Sequence, residues 1–265
     1  MIALTFDCEQ WNCPLLEHRK SNEPDTIKYS MEGNEKLLEI LNGKKVRATF
    51  FITSFFAEKK SDQIKKIAKL GHEIASHSHC HYYRGNNKLN ITDDIRRSKE
   101  ILEKIIGRKI RGFRSPQLQY SSLLAQTLKG LGFDYDSSLH PTYLPGCYSN
   151  ISAPREPFRP LQGSNFLEIP LTVSPLAIPT GWVFTRVLGI NRTINICKNL
   201  IKQGKVPVLY FHSWEFYPMK SREVPFYYNW RTGEWMISAL ERLIDQLGSD
   251  SFITMSELAD RLNKD

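Results

Sequence analysis

The stretch from Gly71 to His81 holds four of the chain's seven histidines, at positions 72, 77, 79 and 81. His77 and His81 are four apart, so on one helical turn both rings would project from the same side. Neutral imidazole is the commonest protein ligand for zinc-type metals, and two at this spacing supply half of a tetrahedral shell. Carboxylate candidates stand at the end of the apolar run Ile2–Phe6, in Asp7-Cys8-Glu9. In extended geometry Asp7 and Glu9 point to one side and Cys8 to the other. Two carboxylates on one face can divide labour, one binding metal and one moving protons. Arg114 follows the run Ile110–Phe113, and an arginine at a strand end can hold a carboxylate ionised and oriented. His212 follows Val206–Phe211, where it could act as a general acid.

Those groups sit at the ends of elements that alternate along the chain. Strand-like runs are expected at Ile2–Phe6, Val46–Thr53, Glu73–Ser76, Ile110–Phe113, Phe133–Tyr135, Phe166–Pro170, Val206–Phe211 and Ser251–Ile253. Helices are expected at Tyr29–Asn42, Ser61–Leu70, Ser121–Leu131, Thr193–Gln203 and Trp235–Leu247, with Thr92 capping another that ends at Ile106 before Gly107. Thr254-Met-Ser-Glu257 is a capping-box pattern opening a last short helix. Such alternation implies an α/β domain of mostly parallel strands with right-handed crossovers. Seven or eight units around one core favour a barrel, where chemistry sits at the carboxyl ends of strands. No linker divides the chain, so a single domain spanning 1–265 is expected. Irregular insertions at about 139–165 and 216–231 are long enough to be binding loops.

Composition narrows the class. At 41% hydrophobic and 11% aromatic residues over 265 positions, the chain can bury a sizeable core and is unlike a disordered segment. No apolar run reaches the roughly eighteen residues that cross a bilayer. The first residues carry no basic segment or small-residue cleavage site, so a cytoplasmic location without a signal peptide is expected. Five scattered cysteines, an odd number, do not form a disulfide framework and fit a reducing compartment. The net charge of +8 needs an explanation. Part comes from the solvated lysine face of a helix over 58–70. The denser stretch 96–114 has eight basic against two acidic residues. It is either solvated surface or a contact for anionic glycan or a phosphate-bearing lipid surface. No nucleic-acid-binding motif accompanies the charge.

Taken in order, these motifs resemble those of the polysaccharide deacetylase family, the NodB-homology or carbohydrate esterase 4 group. The resemblance rests on Thr5-Phe6-Asp7, His77-Ser78-His79-Cys80-His81, Phe113-Arg114-Ser115-Pro116 and Phe211-His212-Ser213-Trp214-Glu215, with Gly132-Phe-Asp-Tyr-Asp-Ser-Ser138 between them. It implies a distorted (β/α)7–8 barrel and metal-dependent hydrolysis of an N-acetyl group on an amino sugar. It makes His77 and His81 ligands to one divalent metal ion, zinc first. Asp7 becomes the base toward water, Arg114 its tether and His212 the acid toward the departing amine, with a backbone N–H completing an oxyanion site. Many members have a second aspartate where this chain has Cys8. A branch with Asp-x-Glu or Asp-x-Asp is closer, and it favours Glu9 as third ligand. A twisted strand end would present Cys8 instead, and its sulfur would favour zinc further. His79 supports a ligand or faces solvent, and Glu168 is a candidate to orient His212.

The substrate is less legible. Trp11, Tyr82, Tyr83, Trp182, Trp214 and Tyr217 either stack on sugar faces or pack loops. Without a secretion signal, a lipid- or nucleotide-linked N-acetylated glycan precursor is expected. Two rival readings stand beside this one. One is hydrolysis of a small cyclic amide or imide of the allantoin type. The other is a non-catalytic carbohydrate-binding protein on the same scaffold.

Overall fold

All seven residues of the first strand, β1 (Ile2–Cys8), are buried, because a parallel sheet is covered on both faces. The computed structural model describes residues 1–16, 27–81, 83 and 88–264, so Tyr82 lies outside the described residues. After β1 come β2 (Thr49–Ile52), β3 (Glu73–Ser76), β4 (Gly112–Phe113), β5 (Tyr135–Asp136), β6 (Tyr143–Leu144), β7 (Tyr148–Ser149), β8 (Leu167–Glu168), β9 (Val208–His212) and β10 (Phe252–Ile253). The parallel order is β9-β1-β2-β3-β4-β5-β8, with β10 beside the amino end of β1. Hairpin β6–β7 is separate and antiparallel. Between the edges β8 and β9, Thr172 N donates to Val208 O at 3.0 Å, and Val208 N donates to Thr172 Oγ1 at 2.7 Å. The result is a curled, distorted (β/α) barrel in one domain, as the alternation predicts.

Strand alternation sorts the core into two layers. Ile2, Leu4, Phe6, Cys8, Phe50, Ile52, Ile74, Phe113, Leu209 and Phe211 pack outward against the helices. Ala3, Phe51, Ala75, Tyr135, Leu167, Val208 and Tyr210 fill the inside. The same parity sends Asp7, His77, Arg114 and His212 inward at the strand ends.

The helices begin and end where local chemistry allows. The helix Ile91–Ile106 starts two residues earlier than predicted, and its cap is Asn90, whose side chain accepts from Asp93 N, rather than Thr92. It stops at Gly107, which takes a left-handed conformation at φ 68°. Thr254 and Glu257 form the expected capping box ahead of the helix Met255–Leu262. Two short helices, Ser54–Lys59 and Trp182–Leu188, carry no periodic signal long enough to be read. The first insertion contains the β6–β7 hairpin and the second the turn Phe226–Asn229. Much of the basic stretch 96–114 is neutralised within the protein, by Arg96–Asp93, Lys99–Glu103, Lys109–Asp134, Arg111–Asp134 and Arg111–Asp260 pairs. Among the described residues no helix is long and apolar enough to cross a membrane.

Candidate active site

Glu9, His77 and His81 meet with ligand atoms all within 4.8 Å of one another, and all three side chains are buried. Glu9 continues the inward parity of Asp7 past the end of β1. Its Oε2 lies 2.6 Å from His81 Nε2 and 3.4 Å from His77 Nε2. The other ring nitrogens are engaged elsewhere. His77 Nδ1 lies 2.7 Å from the Arg114 carbonyl oxygen, and His81 Nδ1 lies 2.9 Å from Asn12 Oδ1. A carbonyl only accepts, so in neutral His77 the hydrogen is on Nδ1 and Nε2 presents its lone pair. Asn12 Oδ1 selects the same tautomer for His81.

Two lone pairs and a carboxylate oxygen then converge, and Glu9 Oε2 receives no hydrogen bond of good geometry. Electron-rich atoms gathered without a proton between them suit a divalent cation, and the nitrogen/oxygen set suits zinc. Burial alone would raise the Glu9 pKa, but whenever the rings carry protons toward it the charge of His81 and hydrogen bonds from His77 and His81 hold it well below the usual carboxylate range, the positive charge that a bound cation would replace. Cys8 faces the other way. It packs in the helix layer, Asn34 Nδ2 donates to its sulfur at 3.1 Å, and burial pushes the thiol up to about 12. The strand does not twist enough at its end to present Cys8.

The pair of histidines does not converge by helix geometry. Residues 77–81 form a loop in which Ser78 has φ 66°. The buried Asp94 carboxylate organises it, accepting from the Ser78 hydroxyl, from His79 N at 3.0 Å and from Cys80 N at 3.1 Å. The Tyr83 hydroxyl also donates to Asp94, at 3.0 Å, so this ring holds the loop rather than a sugar. His79 turns away, its Nδ1 2.8 Å from Ser54 Oγ.

Arg114 is fully buried inside the barrel, its guanidinium 4.0 Å from the Phe51 ring centre. It donates to Asp7 Oδ1 at 2.7 Å and Thr5 Oγ1 at 2.9 Å, and its Nε donates to Ser137 O at 3.1 Å. On another wall, His212 Nδ1 lies 3.2 Å from Glu215 Oε1, which also accepts from His212 N at 2.8 Å. Arg186 Nε donates to the second oxygen of Glu215 at 2.8 Å, with both side chains fully buried. Burial would lower the His212 pKa, but the Glu215 hydrogen bond, followed by the charges of Glu9, Glu215 and Asp7, raises it above the ordinary histidine value. Asp7, Glu9, His77, His81 and His212 all line one open cleft of about 840 Å³ counted to its mouth.

The sequence model for polysaccharide deacetylases matches residues 1–135, half of the chain and the half that carries Asp7, Glu9, His77, His81 and Arg114. The chain belongs to the polysaccharide deacetylase family. A domain of unknown function, DUF3473, matches residues 137–260. The boundary falls in β5, so the candidate site draws on both matches, with His212 and Glu215 from the second. A peptidoglycan deacetylase of Helicobacter pylori is 28% identical over 134 residues, 47% of this chain and 44% of that protein. The chain spans less than half the length of the curated relatives it matches. Two solved structures share the fold. A probable polysaccharide deacetylase from Pseudomonas aeruginosa PAO1 superposes with a TM-score of 0.70 at 16% identity, covering 100% of this chain and 91% of that one. PuuE allantoinase superposes with a TM-score of 0.68, also at 16% identity, covering 99% and 90%.

One sequence expectation is corrected within this candidate site, and the open alternatives for the aromatic residues are resolved. Glu168 does not orient His212. It lies one residue past inward-facing Leu167, so it points to the opposite side of β8 and accepts from Leu139 N at 2.8 Å. Glu215 takes that role, and the sequence signal was its spacing, i+3 from His212 across a tight turn. Trp11 is 3% exposed and packs edge-on against Trp214 at 5.2 Å, so it supports the cleft from beneath. Trp214 is buried too. It stacks on His212 at 5.1 Å and donates from Nε1 to Glu9 Oε1 at 3.2 Å. Tyr217 packs on Tyr29 at 5.1 Å. Of the five described aromatic candidates, Trp182 and Trp214 line the cleft. Asn12, Asp94 and Arg186 escaped sequence reasoning because nothing in their local pattern marks a long-range partner.

Proposed function

We propose that this polysaccharide deacetylase family member hydrolyses the acetamido group of an N-acetylated amino sugar, releasing acetate and the free amine. One observation carries the reading: the Glu9–His77–His81 cluster shares a cleft with Asp7 held by Arg114 and with His212 held by Glu215. Glu9, His77 and His81 would hold a divalent cation, which when bound supplies Lewis acidity toward the acetyl carbonyl and toward water.

The chain's own groups do the rest. Asp7, fixed at one oxygen by Arg114, takes a proton from the attacking water as its oxygen bonds to the carbonyl carbon. The Arg114 hydrogen bond keeps that carboxylate oriented for the step. His212 then gives its Nε2 proton to the sugar nitrogen as the C–N bond breaks, and Glu215 stabilises the imidazolium until that transfer. Trp214 keeps Glu9 and His212 in register by bonding one and stacking on the other. Water's oxygen and one of its hydrogens leave in acetic acid, which loses that proton at neutral pH, while the proton taken by Asp7 replaces, through solvent, the one His212 gave to the amine, so the cycle closes.

The name of the Helicobacter pylori relative makes a peptidoglycan sugar one candidate substrate. A lipid- or nucleotide-linked N-acetylated glycan is another. The test is acetate release by the zinc-loaded protein from chitooligosaccharides, UDP-N-acetylglucosamine and peptidoglycan fragments, with allantoin beside them. Turnover of allantoin without any sugar would move the reading to cyclic amide hydrolysis. Metal-independent binding of a sugar without acetate release would move it to the non-catalytic protein.

A further inference from the structure

The cleft extends past the catalytic cluster onto His140, Tyr148, Trp182 and Tyr210. Two polar atoms on this extension are buried and have no hydrogen-bond partner among the described residues: His140 Nε2 and Trp182 Nε1. His140 is only 2% exposed, and its Nδ1 is taken by the Tyr148 hydroxyl at 2.8 Å. More than nine in ten buried polar groups find partners, and an orphan forfeits its hydrogen bonds to water without replacement. Two orphans on one cleft therefore point to a ligand that supplies the partners.

Their placement relates them to the chemistry. The Tyr210 ring lies between the two histidines, 5.6 Å from His140 and 5.8 Å from His212. The Trp182 ring meets His212 edge-on at 5.9 Å. Trp182 itself adopts φ 48°, a left-handed conformation that a bulky residue holds only against strain. Burial, and then the charge of Arg114, lower the His140 pKa to about 3, so the ring stays neutral at working pH. It offers one uncharged donor or acceptor, unsuited to pairing with an anion and suited to a hydroxyl.

We infer that His140 and Trp182 form the saccharide subsite, hydrogen-bonding the hydroxyl oxygens of a neutral pyranose so that its acetamido group reaches the Glu9–His77–His81 cluster. The inference rests on the deacetylase reading and names how that site selects a sugar. Neither residue belongs to the motifs that carry the metal, the base or the acid.

The experiment is calorimetric binding of triacetylchitotriose to the zinc-loaded protein, with steady-state acetate release beside it. Trp182→Phe keeps the ring and loses the N–H, and His140→Phe keeps a planar ring and loses both nitrogens. Each is expected to raise Kd and KM about tenfold, one to two hydrogen bonds' worth, with kcat within about threefold. His140→Gln, which restores a donor, is expected to recover most of the affinity, whereas a packing defect would lower the melting temperature and kcat together. Unchanged Kd in both Phe variants overturns the subsite, as does a wild-type protein with no saturable binding of the trisaccharide. Wild-type binding that depends on His140 and Trp182 but yields no acetate supports the subsite and sinks the deacetylase reading instead.

Discussion

Glu9 Oε2 lies 2.6 Å from His81 Nε2, and in the neutral ring the facing nitrogen has no hydrogen to share while Nδ1–H donates to Asn12 Oδ1. This contact gives the ligand set a direct test. Glu9→Ala, His77→Ala and His81→Ala are each expected to weaken zinc binding by more than about 100-fold, while Cys8→Ser leaves it within a few-fold. Asn12→Ala removes only the outer hydrogen bond and should cost about 10–100-fold. Equilibrium dialysis with metal analysis reads all five. Stoichiometric zinc in His77→Ala/His81→Ala would refute the site.

Asp7 stands apart from that set. Its carboxylate is held by Arg114 rather than by the histidines, so Asp7→Asn should keep zinc and lose about 10²–10⁴-fold in kcat, the range for removing a general base. Acetate release against metal content separates this from a ligand defect, since a fall in both would place Asp7 among the ligands.

The proton on His212 sets the alkaline side of the pH profile. Its pKa is raised above the ordinary histidine value, despite burial, mainly by the Glu215 hydrogen bond. A general acid works while protonated, so activity persists as pH rises and falls through that raised value. Glu215→Gln removes a charge, and the basic limb of kcat should move to lower pH. The stability linkage has the same sign. The Glu215 contribution is fully present below the unfolded pKa of about 6.5 and is lost as pH rises through the folded one. The substitution also leaves Arg186 buried without its carboxylate, costing about 3–5 kcal/mol. Arg186→Met with Glu215→Gln should regain part of that in thermal melts while the pH limb stays shifted. An unmoved limb would remove Glu215 from the proton-transfer chemistry.

How far the sequence reveals this arrangement depends on the range of each interaction. Asp7, Glu9, Arg114 and His212 are legible because strand parity is local: an apolar run fixes which side its last residue faces. The barrel follows from alternation for the same reason. Asp94 is invisible by this route, since it lies 16 residues from Ser78 and only folding brings them together. Arg186 is 29 residues from Glu215, in a helix too short to show a period. The helical picture of His77 and His81 fails because i, i+4 spacing fits a wrapped loop as well as a helical turn. Glu168 is a poor guide because its position in a strand does not by itself say which wall of the barrel it faces, and it turns to Leu139 N instead.

Asp94 yields a prediction of its own. It touches no ligand atom, yet its carboxylate holds the backbone on which His81 is carried. Asp94→Ala leaves the hydroxyls of Ser78 and Tyr83 and two backbone N–H groups without this acceptor. Unfolding should become about 1–3 kcal/mol easier, and zinc affinity should fall although all ligands remain. Denaturant melts and zinc titration read the two effects, and a melt shift with unaltered zinc binding would confine Asp94 to stability.

Gly33 connects the helix layer to the catalytic turn. It lies inside the helix Lys28–Gly43, where alanine would ordinarily be better by about 1 kcal/mol. Here a β-carbon would fall 1.9 Å from Ser213 O, a backbone atom with no rotamer through which to withdraw. Ser213 sits between His212 and Trp214, so the helix cannot retreat from it without loosening both. Gly33→Ala should therefore lose about 1–3 kcal/mol against its better helix propensity, the usual cost of overpacking. Because the displaced turn carries the proton donor and the indole bonded to Glu9, kcat should fall more steeply than zinc affinity. A stabilised Gly33→Ala protein with full kcat would show that the helix can move off the turn freely, and that the close approach does nothing to place His212.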